Sequence, residues 1–146
     1  MTVTRHNRDG IKGMFNPSRY GWERIAYWIQ RLSGLGLLAF LVGHVLTIGS
    51  IVDGKGAWTR MLVTLENPLG DAILVVVMGL AIFHTINGIR VILNETGIGI
   101  GSPTTPEYPY KPRSLNFKQR LCIWVSIALG ALAMLYTYCI IFGGLP

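Results

Sequence analysis

The sequence predicts an all-α integral membrane protein with three transmembrane helices, and three observations carry that prediction. Of the 146 residues, 51% are hydrophobic and only 14% are charged, so the mean hydropathy is positive. The charges are segregated, which leaves three uncharged stretches over residues 32–52, 72–89 and 121–146. Each is long enough, the second only just, because a helix needs about 20 apolar residues to cross a bilayer core. The predicted division is an N-terminal arm over 1–24 and a transmembrane domain over 25–146, with helices over about 25–52, 69–94 and 116–143.

The arm is polar and basic and has no apolar core of the kind a signal peptide needs, so the first span is expected to remain in the mature protein. Asp9-Gly10 and Asn16-Pro17 mark turns within it. A short amphipathic lead-in over 22–30 then runs into the first span. Its Trp22, Tyr27 and Trp28 suit the aromatic belt at the water–lipid boundary. After the second span, Gly97, Gly99 and Gly101 precede Pro103, Pro106, Pro109 and Pro112, a proline at every third position. That period suits a stiff polyproline II strap. With Tyr108 and Tyr110 inside it, the strap fits a docking surface for a soluble partner and a plain surface linker equally well. The third span carries both cysteines. Cys122 and Cys139 lie 17 positions apart, about 25 Å along one helix, too far to bridge each other. Without a CxxC pair they read as small packing residues.

Loop charge sets the orientation. Arg5, Arg8, Lys12, Arg19, Arg24 and Arg31 precede or open the first span, and Arg90, Lys111, Arg113, Lys118 and Arg120 lie between the second and third. The first connection has only Lys55 and Arg60, against Asp53, Glu66 and Asp71. The positive-inside rule then places the N-terminus in the cytoplasm and the C-terminus outside, as expected of a multi-pass protein of the cell inner (cytoplasmic) membrane. The net charge of +6 is a topology signal, and nucleic acid is not an expected partner.

The chemistry concentrates at the end of the second span, Ala81-Ile82-Phe83-His84-Thr85-Ile86-Asn87-Gly88-Ile89-Arg90. An imidazole in hydrocarbon is costly and marks a function with a partner close by. For a neutral imidazole in an apolar bundle that partner is a metal, most often haem iron. His84 lies about 9 Å below Arg90, and His44, past Arg31 on a helix running the other way, is roughly 20 Å deep. A depth difference of about 10 Å argues against both imidazoles facing one haem. Two haems stacked across the membrane follow, each with a second ligand from another polypeptide. The alternative is one haem at His84, with His44 a core or quinone-site residue. His6 belongs to the solvated arm. Gly43 beside His44, and Gly88 one turn past His84, allow a flat macrocycle or another backbone to approach. Arg31, followed by Ser33 and Gly34, can pair with a haem propionate, hold a quinone carbonyl or snorkel to headgroups; the Ser33 hydroxyl can donate to the same carbonyl.

The run Gln30-Arg31-Leu32-Ser33-Gly34, together with His84-x-x-Asn87-Gly88-Ile89-Arg90, resembles the cytochrome b membrane anchors of succinate dehydrogenase, complex II. The resemblance extends from Trp22 through the third span. It implies that the three helices form half of a haem-binding helical bundle completed by a second small anchor. Iron–sulfur and flavoprotein subunits would sit on the cytoplasmic face and pass electrons from succinate to a quinone. The chain would then be a subunit of an enzyme without holding a complete active site. His84 matches the axial ligand of haem b, and His44 a helix I histidine of relatives with a second haem. Arg31 and Ser33 match the segment bordering the quinone and the propionates, with Tyr27 one turn before it. Gly88 and Arg90 complete the histidine motif at the haem. Gln30 departs from a common histidine, Tyr27 from a common serine, and Asn94-Glu95 from a common aspartate. A haem-free anchor or assembly subunit, and a fumarate reductase anchor working in reverse, are the competing expectations. A proton-relay transporter is disfavoured because the spans hold no carboxylate and show no inverted repeat.

Overall fold

The computed structural model describes residues 22–98 and 117–143. The predicted N-terminal arm before Trp22 and most of the proline strap lie outside the described residues. Within them 93% of residues are helical and none is in a strand. Three helices are long and apolar enough to cross a membrane.

Helix α1, Trp22–Gly49, is continuous through Arg31, so the lead-in and the first span are one rod. No proline interrupts it. The rod tightens into a 3-10 turn, Ser50–Asp53, closed by Gly54 at φ 90°, a left-handed value that suits glycine. A helix not foreseen from the sequence follows: α2, Lys55–Leu65. Its Ala57, Trp58, Met61, Leu62 and Leu65 share one side at helical spacing, a pattern too short to register as a span.

Helix α3, Pro68–Glu95, opens with Asn67, whose side chain accepts from the amides of Leu69 and Gly70 at 3.0 Å. Proline in the first turn costs nothing there because its missing N–H would have had no helical partner. At the other end Gly97 adopts φ 84°, and the amides of Gly97 and Ile98 return to the carbonyls of Asn94 and Leu93. That pairing is a Schellman stop, and it ends the helix before the glycine-rich strap. Helix α4, Phe117–Phe142, is the third span.

Helix α3 is the centre of the fold, packed against α4 along most of its length and against α1 more narrowly. Its buried residues Gly79, Phe83 and Asn87 recur every four positions. Gly79 and Phe83 meet Gly130 of α4, where Gln119, Ile123 and Ser126 are buried as well, and Asn87 bonds to Gln30 of α1. At the crossing, a Cβ on Gly130 would stand 3.0 Å from the Gly79 carbonyl, and a Cβ on Gly79 would stand 3.0 Å from the Gly130 carbonyl and meet Met134. In lipid the apolar faces gain nothing from leaving water, so helices join where small residues let backbones approach. The remaining apolar side chains point outward, Leu35, Leu46 and Tyr136 among them at 66–68% exposed. Such a surface suits hydrocarbon as its solvent.

The reciprocal contact makes Gly79 intolerant of a branched side chain. Gly79→Val is expected to lower stability by about 1–3 kcal/mol through overpacking, measured as a lower thermal midpoint of the detergent-solubilised protein. An unchanged midpoint would mean that the two backbones do not meet there.

Candidate functional site at the α1–α3 contact

Polar side chains gather where α1 meets α3. On α1, Gln30, Ser33 and Gly34 follow at helical spacing; on α3, His84, Asn87 and Gly88 do the same. The two stripes face each other in antiparallel register. Ser33 is 2% exposed and Asn87 is wholly buried. The absent side chains are part of the fit: a Cβ on Gly34 would press on His84 Cε1 at 2.9 Å, and one on Gly88 would reach Gln30 Nε2 at 3.3 Å.

The hydrogen bonds run in one direction, fixed at both ends. Arg90 has only donors, and its Nε donates to Asn87 Oδ1 at 2.9 Å. That orients the Asn87 amide, so Nδ2 donates to Gln30 Oε1 at 2.8 Å. Gln30 Nε2 then donates to the His84 carbonyl at 3.2 Å, which can only accept. The two amide orientations follow from this chain without a choice.

The imidazole is set by a second branch. Ser33 Oγ donates to the Gln30 carbonyl at 3.0 Å and lies 2.9 Å from His84 Nδ1. A hydroxyl has one hydrogen. If that hydrogen goes to Gln30, Nδ1 carries the proton between Ser33 and His84 and Nε2 keeps its lone pair; if it goes to Nδ1, the roles reverse. Nε2 has no hydrogen-bond partner among the described residues, and the ring is half-buried.

The other predicted residues are placed apart from this cluster. Arg31 is exposed and carries its guanidinium over the Tyr27 ring, 4.6 Å from the centroid, a cation–π pair one helical turn long. Ser33 does not accompany Arg31: two positions on, it lies about 200° around α1, on the His84 side. Arg90 joins His84 through Asn87 and Gln30, and Gly88 lies against Gln30. His44 is exposed and stacked on Phe40, with ring centroids 5.5 Å apart. It stands ten residues beyond Gly34, about 15 Å further along the axis. Neighbouring Gly43 has nothing within 4 Å. The structure therefore brings His84, Ser33, Gly88 and Arg90 together and leaves His44, Arg31 and Tyr27 outside. Gln30 and Asn87 carry the network although sequence reasoning gave them no role. Their signal was available as two amides at i−3 and i+3 from Ser33 and His84 within apolar helices.

At the same end, α3 and α4 leave a groove of about 750 Å³, lined by Ile86, Leu93, Phe117 and Cys122 and bordered by Arg90 and Lys118. Among the described residues no group of three or more His, Cys, Asp or Glu side chains could hold a bare metal ion.

A multi-pass helical membrane protein with a histidine in its central span and cations at the span's end is the class that fold and site define. The chain belongs to the succinate dehydrogenase/fumarate reductase transmembrane subunit family, whose model matches residues 15–129. The match includes His44, His84 and all of the α1–α3 contact. Comparison with curated proteins and with solved structures finds no match.

The Gln30–Asn87 bond should be measurable as coupling. Asn87→Leu removes the acceptor of Arg90 Nε and the donor to Gln30 Oε1 and is expected to cost about 1–3 kcal/mol. In a double-mutant cycle, Gln30→Leu added to it should cost less than it does alone. Strict additivity in thermal unfolding would show that the pair is not formed.

Proposed function

We propose that this chain is the cytochrome b membrane anchor of a succinate:quinone oxidoreductase and that His84 ligates haem b through Nε2. The observation that carries the reading is the bare, unpartnered Nε2 of an imidazole whose other nitrogen is already held by Ser33. Ligating histidines need this arrangement, one nitrogen anchored and the other open. No cluster of protein ligands is required, because the macrocycle supplies the equatorial ones. Gly34 leaves the room the ring occupies, since a Cβ there would stand 2.9 Å from His84 Cε1. When bound, haem b would supply one-electron transfer.

The chain's own residues divide the remaining work. Ser33 and Gln30 hold the imidazole and exclude rotation of the ring. Arg90, anchored by Asn87 at the end of the span, offers a fixed cation to an anionic propionate. Arg31 and Tyr27, exposed together on another side of α1, are the pair we assign to the quinone; Ser33 is committed to His84. The open distal half of α1, with Leu38, Leu41, Val45 and Leu46 all more than half exposed, is the face we assign to a second anchor subunit, which would bring the opposing axial ligand. His44 on that face would serve a second haem at greater depth. The iron–sulfur and flavoprotein subunits would dock at the basic end, taken as cytoplasmic in an inner-membrane arrangement with the C-terminus outside.

The test is a dithionite-reduced minus oxidised spectrum of the purified complex, with haem counted per flavin. Two b-type haems are expected, with His84→Ala and His44→Ala each removing one. One haem, lost only in His84→Ala, would withdraw His44 as a ligand. A complex without haem, or a full haem spectrum in His84→Ala, would overturn the reading.

A further inference from the structure

The bond between Ser33 and His84 has a chemical consequence for the ligand. Ligation through Nε2 would leave the ring proton on Nδ1, 2.9 Å from Ser33 Oγ, and the Gln30 carbonyl, 3.0 Å away, can take the only hydroxyl hydrogen. In that arrangement Ser33 acts on the imidazole as an acceptor. The contact is nearly sealed, with Ser33 2% exposed, so water does not substitute for it.

We propose that Ser33 is a positioning residue that holds His84 in the Nδ1–H tautomer, aims its Nε2, and raises the donor strength of that nitrogen toward haem iron. The proposal rests on the haem reading above. An acceptor on Nδ1–H gives the ring partial imidazolate character, and a more basic ligand stabilises the ferric state over the ferrous. Ser33 thus holds the midpoint potential of this haem below the value an unassisted imidazole would give. Gln30 takes part through its backbone, because its carbonyl keeps the hydroxyl lone pairs turned toward His84. The side chain of Gln30 adds the bond to the His84 carbonyl, which fixes the height of α3 against α1 and so of the ring against Ser33.

The test compares Ser33→Thr with Ser33→Val in the assembled membrane complex. The two replacements add the same bulk to α1, so crowding against α3 is common to both and only the hydroxyl differs. Redox titration of the haem absorbance, with the low-spin ferric electron paramagnetic resonance signal alongside, provides readouts independent of turnover. Ser33→Thr is expected to keep the wild-type midpoint and signal. Ser33→Val is expected to shift the midpoint upward and to broaden or displace the signal, as the ring loses its anchor. Loss of haem in Ser33→Val with retention in Ser33→Thr would also bear the proposal out, since the hydroxyl is then required. Equal midpoints in the two variants, a downward shift in Ser33→Val, or loss of haem from both would overturn it while leaving His84 as ligand. Failure of the haem reading itself would be seen earlier, as a wild-type complex without haem.

Discussion

The structure depends on a one-way chain of hydrogen bonds, from Arg90 through Asn87 and Gln30 to the His84 carbonyl. Inside hydrocarbon a polar side chain cannot turn to water, so each amide in this chain holds its neighbour in place. The chain joins α1 to α3 at one depth and in one rotation. Without it, two apolar rods would have little to choose between one register and another, because lipid contacts are nearly the same in each.

The two sides of α3 use different physics. Toward α4 the contact is steric: Gly79 and Gly130 let the backbones approach, and Phe83 and Ile123 fill the space beside them. Toward α1 the contact is polar and short, and near it a Cβ on Gly36 would lie 3.9 Å from Leu80 Cδ1. Beyond that point α1 runs on with its side chains exposed. The arrangement packs α3 closely on α4 and leaves the far half of α1 with exposed apolar surface.

Much of the fold was legible because it follows from composition. Three long apolar runs divided by charge leave few alternatives, and of the residues that carried the family resemblance the structure places Gln30, Ser33, Gly34, His84, Asn87, Gly88 and Arg90 at one contact, with Arg31 outside it. The site was legible in its centre and not in its supports. His84 stood out as a single titratable group in an apolar span. Gln30 drew notice only as a departure from a familiar histidine, although that departure is what matches it to Asn87: an amide can accept from Asn87 with one atom and donate to His84 with the other. Ser33 was grouped with Arg31 by sequence proximity. Two positions on a helix are about 200° apart, so neighbours in sequence became residues of opposite faces.

By itself, the sequence determined that the chain is helical, that it enters the membrane three times and that an imidazole lies within the second span, because apolar length and the placement of charge act locally along the chain. Tertiary structure alone decided which polar groups meet. It set Ser33 against His84 Nδ1, and it kept His44 about 15 Å away along α1. The physical reason is geometric: a hydrogen bond tolerates only a few tenths of an ångström and a limited angle. Those quantities are set by the rotation and height of one helix on another, which no spacing within a single helix specifies.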